Sequence, residues 1–211
     1  MENYEEEYNL DELFGHMKKN ITKDIKTFED LINLDGALRR EIYVYAIEDG
    51  LGPSIDGQIR FWNTYDNEHN IPIDKREPIK IYIDSCGGSL VDTLTIVDAI
   101  KMSKTPVYTI AIGCAYSGGF FIACSGHKRF TYPHASFLFH EGSTGTSGTA
   151  GQFENYTAFY KKQLEQLKQI VLENTNITEK EYNDIKKEDI WYTSEEAIEK
   201  KIIDEILKEL I

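Results

Sequence analysis

Cysteine is scarce in this chain, and so are positive charges, long apolar runs and the glycine pattern of a nucleotide site. Its three cysteines, Cys86, Cys114 and Cys124, cannot all pair, and none stands at metal-ligand spacing from a histidine or another cysteine. Together with a start that lacks a secretory pattern, this leads to the expectation of buried, reduced thiols in a cytoplasmic compartment. The 23 Lys and Arg are outnumbered by 36 Asp and Glu, a formal charge of -13 that would repel a phosphate backbone and argues against nucleic acid as a partner. No uninterrupted apolar stretch is long enough to cross a bilayer. The Gly-x-x-x-x-Gly-Lys phosphate loop is missing as well, so any use of ATP is expected to belong to another protein.

What is present is an acidic chain of 211 residues, 41% apolar, enough for one domain with a substantial core. Residues 1–40 read as a helical, acidic extension. Glu5, Glu6 and Glu7 open it, then Leu10, Leu13, Phe14 and Met17, and later Ile25, Phe28 and Ile32, recur at helical spacing. Residues 41–211 form the main domain. Glu41 to Ile47 is rich in β-branched and aromatic residues and reads as a strand. Gly50, Gly52 and Pro53 mark a loop, after which Ser54 is placed to cap a helix from Ile55 to about Glu68. A polar loop, Asn70 to Pro78, leads into a buried strand, Ile79 to Ile83.

Two glycine turns then follow strands and precede helices. Asp84 to Ser89, reading DSCGGS, comes before a helix from Leu90 to Met102, and the second turn lies in Thr109 to Phe121, TIAIGCAYSGGFF. There Gly113 is expected to end a strand, Ser117 sits at the turn, and a short apolar helix starts near Phe120. Successive parallel crossover units put their turns on one edge of a sheet, where the active groups of open α/β folds gather. Ser117 has two roles open to it, a helix N-cap or a nucleophile with free N–H groups beside it. His140 ends the strand Ser136 to Phe139, and Asp189 precedes a further short element. Each has a plain alternative, a satisfied core histidine and a solvated charge. As a set they supply a serine nucleophile, a base and an orienting carboxylate.

Between them, Gly142 to Gly151 is small and polar, either a linker or an edge to which a peptide adds as a strand. From Gln152 to Asn174, Phe153, Tyr156, Tyr160, Leu164, Leu167 and Val171 mark a long amphipathic helix.

The ordered motifs SCGGS, GCAYSGG, FLFHEG and DIWYTSEEAIEKKIID resemble those of the proteolytic subunit of the Clp proteases, the ClpP family of serine peptidases, from about Glu41 to Leu207. The resemblance implies an α/β fold of repeated β-β-α units shared with the crotonases, with a long projecting handle helix in a region of about 142–175. It implies Ser117 as nucleophile, His140 as base, Asp189 as its orienting partner, and the N–H groups of Gly88 and Gly118 as the oxyanion hole. Leu90 and Ser143 are the expected substrate contacts. No metal or cofactor is implied. The expected assembly is a homo-oligomeric double ring enclosing a chamber, fed with unfolded polypeptide by a hexameric AAA+ unfoldase. The chain departs from the family at Cys86, where proline is usual, at Gly118, where methionine is usual, and at Glu141-Gly142, where Gln-Pro is usual. A carboxylate at 141 is expected either to favour imidazolium at His140 or to point into solvent. Alternatives are a catalytically silent subunit, a crotonase-type acyl-thioester enzyme, and a cysteine nucleophile at Cys86.

Overall fold

The computed structural model describes residues 36, 38–185 and 188–211, so the helical patterns read within residues 1–33 lie outside it. Its elements are β1 (Glu41–Val44), α1 (Leu51–Glu68), β2 (Ile79–Ser85), α2 (Leu90–Met102), β3 (Val107–Tyr116), α3 (Gly118–Ala123), β4 (Lys128–Thr131), β5 (Ser136–Phe139), α4 (Ala150–Asn174), α5 (Glu179–Ile185), β6 (Ile190–Thr193), α6 (Ser194–Glu199) and β7 (Glu205–Ile206). The strands join in one sheet along the order β1-β2-β3-β4-β7, every pairing parallel, with β5 also parallel to β3 and β6 antiparallel to β5. This is a mixed α/β fold with a mainly parallel sheet. The inward side chains of β2, Ile79, Ile81 and Ile83, are fully buried, as strands covered by helices on their faces require.

β3 is longer than its sequence suggests, because Gly113 does not end it. Its first half pairs Tyr108–Ala111 with Lys128–Thr131 of β4, and its second half pairs Cys114–Tyr116 with Ser136–Leu138 of β5. Against β2 the register shifts between Ile83 and Ser85, and the Asp84 carboxylate accepts the Cys114 N–H there at 2.9 Å. That bond lets the strand run through the irregularity.

The start of α1 also differs. The helix begins at Leu51, taking Gly52 and Pro53 into its first turn, where a missing N–H costs nothing. Ser54 does not cap it. The cap comes from the next helix, since the Asp92 carboxylate of α2 accepts the N–H groups of Gly50 (3.0 Å) and Gly52 (2.8 Å). On its inner side α1 buries Ile55, Ile59 and Trp62, together with Asp66. Asp66 is fully buried and receives Arg40 on both oxygens, at 2.9 and 2.6 Å, and the Thr105 hydroxyl at 2.7 Å. The guanidinium also lies 4.4 Å from the Trp62 ring centre.

α4 is capped by Thr149 in a reciprocal capping box with Gln152, yet buries only Leu167 and Val171. Most of the stripe read from the sequence is therefore not core of this chain. Phe153 and Phe159 are more than half exposed. Among the described residues, no helix is long and apolar enough to cross a membrane.

Candidate active site

Ser117 links β3 to α3 with φ 52° and ψ −117°, a conformation that non-glycine residues rarely hold and that costs on the order of 1–3 kcal/mol. The surroundings impose it. The Ser117 N–H donates to the Leu138 carbonyl of β5 (3.0 Å), its carbonyl accepts the Phe120 N–H (3.0 Å), and all six residues of α3 are buried. Its hydroxyl makes no capping hydrogen bond, so the N-cap role is not the one it plays. A strained serine on a sharp strand-to-helix turn leaves its oxygen free for chemistry.

His140 and Asp189 meet because β5 and β6 pair antiparallel. Phe139 stands opposite Ile190, so residues 140 and 189 are the next facing positions beyond the ladder. His140 Nδ1 lies 3.4 Å from Asp189 Oδ1, with the histidine side chain 31% exposed and the aspartate 62%. This is a half-open contact, longer than a good hydrogen bond. Among the described residues no hydrogen bond joins the imidazole to the Ser117 hydroxyl, although both line one cavity of about 640 Å³.

The same cavity is lined by Gly88, Gly118, Leu90 and Ser143. Gly88 follows β2 in a turn held by the segment after β1: Ile47 N–H donates to the Gly87 carbonyl (3.2 Å) and Ser89 N–H to the Ile47 carbonyl (2.7 Å). Neither bond uses the Gly88 N–H. Among the described residues neither it nor the Gly118 N–H has an acceptor, so two donors stand ready for an anionic oxygen. Gly88 has φ +150°, and a Cβ there would lie 2.1 Å from the Ile47 carbonyl oxygen. Gly88→Ala is accordingly expected to lose activity by at least about a hundredfold, the cost of one misplaced donor, and to lower the thermal midpoint. Parallel kinetics and thermal unfolding measure both. At Gly118 a Cβ would meet Thr93 Oγ1 at 2.4 Å and Ile47 Cδ1 at 2.8 Å. Those two side chains fill the space that a larger residue at 118 would need, which accounts for glycine here.

Asp92 braces this region without touching the cavity. The Ser89 hydroxyl (2.6 Å) and the Gly52 and Gly50 N–H groups hold its carboxyl below the usual carboxylate range, tying the start of α2 to α1. Nothing in its sequence neighbourhood signals that role. The walls opposite Ser117 come from α4: Tyr156, Phe159 and Tyr160 line the cavity. Two of them belong to the helical stripe, where a cavity-facing tyrosine and a packing one look alike. Tyr160 donates to the Glu141 carbonyl (3.3 Å), and burial, with the Tyr156 and Glu141 charges adding, raises its pKa. Residues 142–149 are irregular and all exposed, with the Thr144 hydroxyl bonded to that of Tyr156; no strand edge for an added peptide is built there.

Of the cysteines, only Cys124 is buried, and burial pushes its thiol up to about 12. Cys86 is exposed and Cys114 partly so, which corrects the expectation of three buried thiols. Cys86 lines the cavity, with its sulfur 3.9 Å from that of Cys114. His127 is a structural histidine whose Nδ1 accepts the Val107 N–H at 2.9 Å. Among the described residues no group of three His, Cys, Asp or Glu is placed to hold a metal ion.

A family model described as Clp protease matches residues 72–210. The chain is 34% identical over 166 residues to the ATP-dependent Clp protease proteolytic subunit of Streptococcus mutans, covering 77% of this chain and 81% of that one. It is 33% identical over 168 residues to the protein of the same name from Lactococcus lactis subsp. lactis (77% and 79%), and 32% over 166 residues to that of Streptococcus pyogenes (77% and 81%).

Proposed function

Because this chain belongs to the Clp protease family, we propose that it is a serine endopeptidase subunit that hydrolyses unfolded polypeptides by acyl transfer at Ser117. The observation that carries this is the strained, uncapped Ser117 on the cavity it shares with His140 and the free N–H groups of Gly88 and Gly118. Neutral His140 takes the Ser117 proton as its oxygen attacks the peptide carbonyl, then returns it to the leaving amine. Asp189 orients the ring and offsets the imidazolium charge without taking the proton. The two N–H groups bind the oxyanion, each worth roughly 3–4 kcal/mol in the transition state. Leu90 and Ser143 contact the bound chain on either side of Ser117. Family membership decides against the acyl-thioester alternative.

The relatives carry "ATP-dependent" in their names, and this chain has no phosphate loop. The energy is therefore supplied by an AAA+ unfoldase that docks on a ring of these subunits in the cytoplasm. A closed double ring is supported by α4, whose exposed first half, with Phe153 more than half exposed, leaves surface for a second copy. The looseness of the His140–Asp189 contact fits a peptidase idle at rest, since apo catalytic contacts tighten in the working complex, and the second reading is a catalytically silent subunit. A serine-reactive phosphonate followed by peptide mapping tests both. The expected result is a single adduct on Ser117, formed faster when the subunits are assembled. Failure to label in every assembly state sinks the peptidase assignment in favour of the silent subunit.

A further inference from the structure

The two accessible cysteines sit on opposite arms of the site. Cys86 follows β2 and is two residues from Gly88; Cys114 lies in β3, three residues before Ser117. They are 28 residues apart in the chain, and the parallel register of β2 on β3, Ser85 opposite Ala115, brings their sulfurs to 3.9 Å. The Cys86 side chain just past the end of β2 and the Cys114 side chain of β3 thus lie within about 2 Å of the separation of a disulfide. The segment they flank is in direct contact with the reacting serine. A Cβ placed on Gly87 would stand 2.7 Å from Ser117 Cβ and 2.9 Å from the Gly118 nitrogen.

We propose that Cys86 and Cys114 form a reversible disulfide with a peroxide as oxidant, and that the bond switches the site off by drawing Cys86, and with it the Gly88 N–H, toward β3. This rests on Gly88 and Ser117 belonging to one active site. In the first step the Cys86 sulfur attacks one peroxide oxygen and the O–O bond breaks, giving the sulfenic acid and water. In the second the Cys114 sulfur displaces the sulfenic hydroxyl, which leaves as a second water with the Cys114 proton. Two sulfurs are oxidised by one electron each, and the two peroxide oxygens are reduced. The order follows from exposure. Cys86 is open to the cavity, whereas burial and the neighbouring Asp84 carboxylate push the Cys114 thiol up to about 12, keeping it protonated until a sulfenic acid stands beside it. A dithiol reductant reverses the bond through a mixed disulfide.

The experiment treats the full-length, assembled protein with hydrogen peroxide, maps cysteine linkage by mass spectrometry without reduction, and follows phosphonate labelling of Ser117. The expected result is a linked Cys86–Cys114 peptide and a labelling rate lower by on the order of a hundredfold, as a misplacement of about 1 Å costs, both restored by dithiothreitol. Cys114→Ala is expected to keep its basal rate and to show no loss that dithiothreitol restores. Peroxide that carries Cys86 to sulfinic acid with no linked peptide overturns the proposal. So does a linked peptide that leaves labelling unchanged, because the switch is then missing. If reduced wild-type protein never labels, the fault lies with the peptidase assignment, and the peptide map alone decides whether the bond forms.

Discussion

Ser117→Ala is expected to fold as the wild type does and to lose peptidase turnover by on the order of a million-fold in kcat. So large a loss follows from the mechanism proposed, in which the serine, its base and the orienting carboxylate would act as a unit, leaving only binding and the oxyanion donors. The backbone at this position adds a second measurement. With φ at 52° and ψ at −117°, the residue pays for its conformation, and alanine inherits that strain while glycine does not. Ser117→Gly should therefore be equally inactive but more stable than Ser117→Ala by about 1 kcal/mol. Kinetics on a fluorogenic peptide and thermal unfolding of both variants separate chemistry from strain. Turnover that survives in Ser117→Ala would move the nucleophile elsewhere, with Cys86 the nearest candidate on the cavity.

Asp66→Ala is expected to be the most damaging change for stability, by about 3–5 kcal/mol, because it leaves the buried Arg40 guanidinium without its carboxylate. What stays beside Arg40 is the Glu77 carbonyl at 2.9 Å and the face of Trp62. For a chain of this size such a loss lowers the midpoint by on the order of 10 °C. The effect has a pH signature. Burial by itself would raise the Asp66 carboxyl, but the Arg40 and Thr105 hydrogen bonds outweigh it and hold the group below its usual range. A carboxylate with a lowered folded pKa stabilises the protein above its unfolded value, and that contribution fades as pH falls through the folded one. The gap between wild type and Asp66→Asn should thus be full at pH 7 and shrink below about pH 5. A gap that grows on acidification would mean that the pair is not ionised in the folded state.

Local chemistry made part of this molecule legible. The helix Leu90–Met102 has the bounds expected from its sequence, because Ser89 caps it and the apolar period changes from two to 3.6 at the glycine turn. β5 and the serine turn are equally local. Gly113 was misleading because a strand partner overrides a local breaker, and only the β2 register shows that the ladder continues. The start of α1 was hidden because its cap, Asp92, arrives some forty residues later. In the site, motif order pointed to Ser117, His140 and Asp189, whereas the α4 wall and the adjacency of Cys86 and Cys114 depend on how distant segments are laid side by side. Pairs that meet through sheet register leave no periodic trace in one strand alone.

The double pairing of β3 has a consequence for how this chain tolerates change in length. Its lower half is locked to one neighbour and its upper half to another, and it carries Ser117 at its end. One inserted or deleted residue between Val107 and Tyr116 would turn the side chains of one half to the wrong face of the sheet, since strand faces alternate with a period of two. Only the irregularity between Ala111 and Ala115 offers slack to absorb it. Length can drift instead where the backbone answers to no ladder, as in residues 142–149, so that stretch is where insertions and deletions should be found in a mutational library selected only for folding.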